Sequence, residues 1–242
     1  MEETKKKGFD TSSNAYTITY AVAIAVIVAF LLAFISSSLK ARQDENVALD
    51  KKKQILASLN VRDVDNEEAS ALYDKMIVAD RIIAEDGSVV AEGKQGGTND
   101  GFLCNGGSMK EGKLALYVCD VDGQTKYVIP VYGMGLWGGI SGYIALNEDR
   151  QTVYGAYFNH ESETAGLGAE IKDSKAWQDQ FKGKNVFAEG KSDIALSVLK
   201  KSDIKNPATE CEAVTGATLT SVGVSDMIHD CLSKYTNFLT NK

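Results

Sequence analysis

Leu114-Ala-Leu-Tyr-Val-Cys-Asp-Val-Asp-Gly-Gln-Thr-Lys-Tyr-Val-Ile-Pro-Val131 is the stretch on which the fold turns. Two runs rich in β-branched and aromatic residues, Leu114–Val121 and Lys126–Val131, flank Asp122-Gly123, and an Asp-Gly pair between such runs is a strong hairpin signal. A second Asp-Gly pair, Asp86-Gly87, stands between Arg81–Glu85 and Val89–Ala91. Gly142–Leu146 and Thr152–Phe158 continue the theme across the turn-like Asn147-Glu-Asp-Arg150. These runs predict an antiparallel sheet. Glu67–Val78, Lys175–Phe181 and Val222–Leu239 predict helices, with a weaker helical signal from Ile194 onward. Helices grouped at the ends of a strand-rich middle describe an α+β domain rather than a doubly wound parallel sheet.

Outward from the sheet toward the N-terminus, Ala21–Ile35 is an unbroken apolar run, and no charged residue occurs between Asp10 and Lys40. A helix over 16–39 is long enough for a hydrocarbon core of about 30 Å. One membrane span is the natural reading, with 1–15 as an N-terminal tail. A secretory signal peptide competes, with Lys5–Lys7 as its basic region. Residues 40–60 continue as an amphipathic helix that reads as a neck, and 61–242 form the main domain.

Lysines lie on both sides of the span, so charge gives no clean orientation. The three acids before it (Glu2, Glu3, Asp10) cancel Lys5–Lys7, so the whole net charge of −7 belongs to the part that follows. Such an acidic domain argues against nucleic acid as a partner. Four cysteines (Cys104, Cys119, Cys211, Cys231) show no Cys-x-x-Cys spacing, which speaks against a zinc or iron–sulfur centre built within this chain. They read as small buried hydrophobes, with a disulfide left open. No Ser/His/Asp or Cys/His arrangement supports hydrolysis, and no metal is expected at His160 with Glu161 and Glu163.

Three segments can carry chemistry. Glu212-Ala-Val-Thr-Gly-Ala-Thr218, followed by Leu219-Thr220-Ser221, brings hydroxyls to the expected start of a helix, and Gly216 lets the backbone approach closely. An anion fits there, because a helix N-terminus offers unpaired N–H groups and a positive dipole end worth about 0.3–1 kcal/mol. A plain capped helix is the bland alternative. Tyr132-Gly-Met-Gly-Leu-Trp-Gly-Gly139 reads either as a wide turn with Trp137 plugging the core, or as a wall for a flat aromatic cofactor formed by Leu136 and Trp137. The glycine-containing loop Asn159–Ile171 is suited to cradling a ligand.

In this order, and behind one apolar span, these segments resemble the C subunit of the Na+-translocating NADH:quinone reductase. Tyr16-Thr-Ile-Thr-Tyr20, Leu49-Asp-Lys-Lys-Lys-Gln-Ile-Leu56, Gly135-Leu-Trp-Gly138 with Gly142-Tyr143, and Glu163-Thr-Ala-Gly-Leu-Gly168 carry the resemblance. It implies an FMN whose phosphate is esterified to Thr218 by a flavin transferase that uses FAD. It further implies a domain on the outer face of the cytoplasmic membrane and an electron-relay role among other subunits, with no stand-alone activity. By the same resemblance Glu163, Thr164, Leu167 and Gly168 lie along the flavin, Thr215, Gly216 and Ala217 surround its phosphate, and Leu136 and Trp137 approach its ring. Two departures stand out: Glu212 replaces the usual Asp, and Ala165 replaces a Pro, which frees the loop backbone. The flavin-bearing G subunit of the Rnf complex is the nearest alternative. A membrane-anchored binding module without redox role is the alternative from another class, and it predicts tolerance of Thr218→Ala.

Overall fold

The computed structural model describes residues 11 and 13–241, so most of the expected tail at 1–15 lies outside the described residues. Two compact units divide between Ala48 and Leu49. Helix α1 runs over Asn14–Ser58, and it is the one helix among the described residues long and apolar enough to cross a membrane. The expected span at 16–39 falls inside it. Of the stretch expected as a neck, Ile55, Leu56, Ala57 and Leu59 are buried within the second unit.

That unit is α+β. After α2 (Asn66–Met76) come β1 (Ile77–Ile83) and β2 (Val89–Ala91), then a short helix α3 (Gly106–Lys110) and four strands: β3 (Leu114–Val121), β4 (Gln124–Met134), β5 (Gly139–Leu146) and β6 (Val153–His160). Short helices α4 (Glu170–Asp173) and α5 (Lys175–Asp179) follow. Next come β7 (Ser197–Leu199), β8 (Glu210–Glu212), the long helix α6 (Thr218–Lys234) and α7 (Thr236–Thr240). The main sheet is six-stranded and antiparallel throughout, in the order β2-β1-β3-β4-β5-β6.

Both Asp-Gly signals make their turns. Val121 pairs with Gln124 across Asp122 and Gly123, whose φ values of 52° and 78° are the left-handed pair that a tight two-residue hairpin needs. Gly87 sits at φ 86° between β1 and β2. Four consecutive buried residues, Leu114–Tyr117, show that β3 is covered on both faces. One cover is α6 with α4 and α5, meeting the sheet in a core that includes Leu116, Ile129, Val131, Ile144, Phe158, Trp177, Val224 and Ile228. The opposite cover is the end of α1, α2 and the loop at 93–105. There Ser58 O lies so close to Gly155 that a Cβ would overlap it, and Tyr73 meets Phe102 edge-on at 5.7 Å.

Three expectations are corrected. The helix expected over Glu67–Val78 ends at Met76, because Ile77 and Val78 already belong to β1, where Ile77 O accepts from Gly96 N–H at 2.8 Å. The helical signal from Ile194 onward is overridden: Ser197–Leu199 pairs in parallel with Glu210–Glu212. The helix expected over Val222–Leu239 starts four residues earlier, at Thr218, and breaks at Tyr235 before α7. All four cysteines are buried and unpaired.

Asp80 is fully buried in β1 and ties the long loop down, accepting from the N–H groups of Lys94 (3.2 Å), Asp100 (3.0 Å) and Phe102 (3.3 Å). Removing the carboxylate strands three donors. Asp80→Ala is therefore expected to cost about 2–4 kcal/mol, read as a lower urea midpoint at unchanged slope in the detergent-solubilised protein. A shift below about 0.5 kcal/mol would show that the loop is held by other contacts.

Candidate functional site

Strands β4 and β5 pair as far as Met134 with Gly139, so the intervening residues 135–138 form a hairpin tip. Gly135 N–H closes it on Gly138 O at 2.8 Å. Leu136 and Trp137 occupy the tip and are exposed, Trp137 at 67 %. This overturns the reading of Trp137 as a core plug. The tryptophan in the core is Trp177, whose indole N–H donates to Glu212 O at 2.8 Å and so helps fix the start of the acceptor segment. Glu212 N–H in turn donates to Gln180 Oε1 at 2.9 Å.

The segment then turns through Gly216 at φ 78°, a conformation a side chain would strain. It enters α6 at Thr218, the first helical residue, with Ala217 in the capping position and without a side-chain cap. Ser221 N–H, bonded to Ala217 O at 3.0 Å, is the first to find a partner within the helix. Thr215, Gly216, Thr218 and Leu219 are exposed, and Ala217 is buried. Two of the hydroxyls expected to face an anion turn inward instead. Ser221 Oγ accepts from Val214 N–H at 3.0 Å, and Thr220 Oγ1 donates to Glu163 Oε2 at 2.6 Å.

Glu163 is the junction of the site. It is 7 % exposed, and besides Thr220 it accepts at Oε1 from Trp137 N–H at 2.9 Å. Its own N–H donates to His160 Nδ1 at 3.1 Å, which gives His160 a structural task. Ser162, which sequence reasoning did not single out, donates from its hydroxyl to Trp137 O at 3.0 Å. Gly135 and Gly168 leave room for the carboxylate, since a Cβ at either would overlap it. Thr164 is exposed, and its carbonyl accepts from Leu167 and Ala169 N–H at 3.1 and 3.0 Å. The exposed Leu167 lies over Gly216, with Cδ2 only 2.9 Å from where a Cβ would stand.

The hairpin tip, the 163–168 loop and the start of α6 thus converge. Around them Met134, Leu136, Trp137, Leu167, Leu219 and Val222 form a set of exposed apolar side chains. An open apolar surface beside an exposed threonine at a helix N-terminus fits a flat aromatic group carrying a phosphate. No group of His, Cys, Asp and Glu able to hold a metal occurs among the described residues.

The fold and site define a flavin-binding module, and a family model described as an FMN-binding domain matches residues 135–233. Among relatives, the C subunit of the Na(+)-translocating NADH-quinone reductase of Pseudomonas aeruginosa is 31% identical over 227 residues, covering 84% of this chain and 86% of that protein. The protein of the same name from Chlamydia trachomatis is 39% identical over 127 residues, 47% of this chain and 40% of its own. The crystal structure of the same C subunit from Parabacteroides distasonis matches with a TM-score of 0.76 at 36% identity, covering 84% of this chain and 98% of that one. The structure of Shewanella oneidensis NqrC shares the fold, with a TM-score of 0.63 at 22% identity over 79% of this chain and 96% of that one. The chain belongs to the family formed by the C subunits of the Na+-translocating NADH:quinone reductase.

Burial alone would raise the Glu163 pKa. The Thr220 hydroxyl and the Trp137 and Leu136 N–H groups outweigh it and hold the carboxyl below its ordinary value. The folded state therefore binds this proton less readily than the unfolded chain, so the stabilisation is complete above about pH 4.5 and is lost as pH falls through the lowered native value. Glu163→Gln does not titrate. Its stability deficit against the wild type should shrink between about pH 7 and pH 3 in denaturant titrations, and an equal deficit at both would remove the assignment.

Proposed function

We propose that this chain is the electron-relay subunit of a Na+-translocating NADH:quinone oxidoreductase and carries FMN through a phosphoester bond to Thr218. The observation that supports this most is the placing of Thr218: exposed, first in α6, and beside the exposed apolar set at the hairpin tip. A phosphate there meets the free N–H groups of the first turn and the positive end of the helix dipole. Thr215, Gly216 and Ala217 would bound the phosphate. Leu136, Trp137 and Leu167 would offer apolar contact to the ring, with Thr164 and Gly168 beside it. The flavin supplies the redox chemistry, while the residues around it fix its position and surroundings.

Helix α1 would anchor the chain in the cytoplasmic membrane with the flavin domain on the outer face. There a flavin transferase attaches FMN from FAD, and neighbouring subunits exchange electrons with it. Esterification joins the Thr218 oxygen to the flavin phosphorus, breaks the pyrophosphate bond of FAD and releases AMP, which carries off the hydroxyl proton. Intact-mass measurement of the membrane-extracted protein should accordingly show an added FMN less one water, mapped to the peptide containing Thr218. Thr218→Ala should abolish that increment and the yellow band on a denaturing gel while leaving the fold intact. An unmodified Thr218 in cells with a demonstrably active flavin transferase would overturn the reading.

A further inference from the structure

We infer that Glu163 is a positioning residue rather than a flavin ligand: its buried carboxylate ties the Leu136–Trp137 backbone to Thr220, and so sets where Trp137 stands relative to Thr218. The importance of this tie for a flavin rests on the function proposed above; the tie itself does not. Both carboxylate oxygens are occupied by the protein, Oε1 by Trp137 N–H at 2.9 Å and Oε2 by the Thr220 hydroxyl at 2.6 Å. Thr220 is 1 % exposed and lies two residues beyond Thr218 in the first turn of α6. Ser162 grips the next peptide unit, donating to the Trp137 carbonyl at 3.0 Å. Trp137 is 67 % exposed, so side-chain packing does little to hold it and its backbone anchors must.

An ionised carboxylate accepts at both oxygens at once, and bonds to a charged acceptor are the stronger kind. No Lys or Arg pairs with Glu163 among the described residues. Its charge is stabilised chiefly by hydrogen bonds, with a lesser contribution from His160, and losing the carboxylate removes the polar link between the tip and α6. A glutamine keeps one acceptor for the tip N–H groups and can donate from its NH2 to the Thr220 hydroxyl, so it restores both bonds in a weaker, uncharged form. A valine at 220 cuts the same link from the other side.

The test uses the full-length protein co-produced with its flavin transferase, as wild type, Glu163→Ala, Glu163→Gln, Thr220→Val, Trp137→Phe and Glu163→Ala/Trp137→Phe. Amide hydrogen exchange of the peptide covering 133–140 should speed up about tenfold or more in Glu163→Ala, and by less in Glu163→Gln and Thr220→Val, with the rest of β4 and β5 unchanged. In the flavinylated protein, Trp137→Phe should raise flavin fluorescence and alter its visible circular dichroism. Glu163→Ala should do the same, and the double variant should add nothing, because both changes remove one effect.

Unchanged exchange at 133–140 in a folded Glu163→Ala protein overturns the proposal. So do flavin effects of Glu163→Ala and Trp137→Phe that simply multiply in the double variant. Should Glu163→Ala fail to accumulate, Glu163→Gln and Thr220→Val decide by the same exchange measurement, and wild-type protection in both overturns it. A wild-type protein without flavin on Thr218 refutes the proposed function, while exchange at 133–140 still decides whether Glu163 positions the tip.

Discussion

The closeness of α6 to β4 is the constraint on which the site depends. Gly133 has so little room that a Cβ would stand 2.6 Å from Met227 Cβ, and one at Gly223 would overlap Met134 O. Two glycines, one on the strand and one on the helix, let the helix backbone come down onto the sheet next to the hairpin tip. A side chain at either would lift α6, since a core packed to crystal-like density has nowhere else to put the volume. Lifting α6 would carry its first turn away from Glu163 and the tip. The positions of Thr218, Thr220 and Trp137 are therefore consequences of backbone proximity in the core beneath them.

That arrangement gives an open apolar surface at the tip, with a shallow cleft of about 420 Å³ beside it that Gly166, Glu212 and Thr215 help to line. One cleft, of about 720 Å³, lies between α2 and the β3–β4 turn, and another of about 610 Å³ lies between α3, β4 and the end of α6. Only Met134 of the exposed apolar set reaches either. Ligand sites commonly enclose most of the ligand's surface, and that burial supplies the retention. A flat bed covers one face of a planar ring and leaves the other accessible. Under the proposed function, the Thr218 phosphoester would supply the retention, keeping the local concentration high without deep burial, and the open face would serve electron exchange with a neighbouring protein.

Much of the fold was legible because its signals are local. Asp122-Gly123 specified a hairpin through two left-handed residues, and β3 and β4 follow from it. What sequence reading missed depends on partners far along the chain. Tyr132–Gly139 read as a wide turn or as a wall for a cofactor, yet all but residues 135–138 of it are strand, because β4 and β5 extend each other's ladder up to the tip. Ser197–Leu199 and Glu210–Glu212 are each too short to show a period, and they are strands only by virtue of each other. Thr220 and Ser221 looked like companions of Thr218. Which hydroxyls face solvent is decided by helical phase and by Glu163, 57 positions away from Thr220. The apolar and hydroxyl composition of the site was therefore readable, and its wiring was not.

The wiring resolves a conflict that composition alone would create, since a carboxylate and a phosphate are both drawn to the positive end of one helix. Glu163 approaches the first turn of α6 but takes none of its backbone N–H groups; it is satisfied by the hairpin tip and by a side-chain hydroxyl of α6. Val214 N–H is likewise satisfied by Ser221 Oγ. The polar side chains near the turn thus serve the surrounding loops, while the main-chain donors that open the helix stay free for an anion from outside. Had Thr220 turned outward, Glu163 would have needed another donor in that turn, and the backbone N–H groups are the nearest candidates. The inward hydroxyl is what would let a buried carboxylate and a bound anion share one helix end.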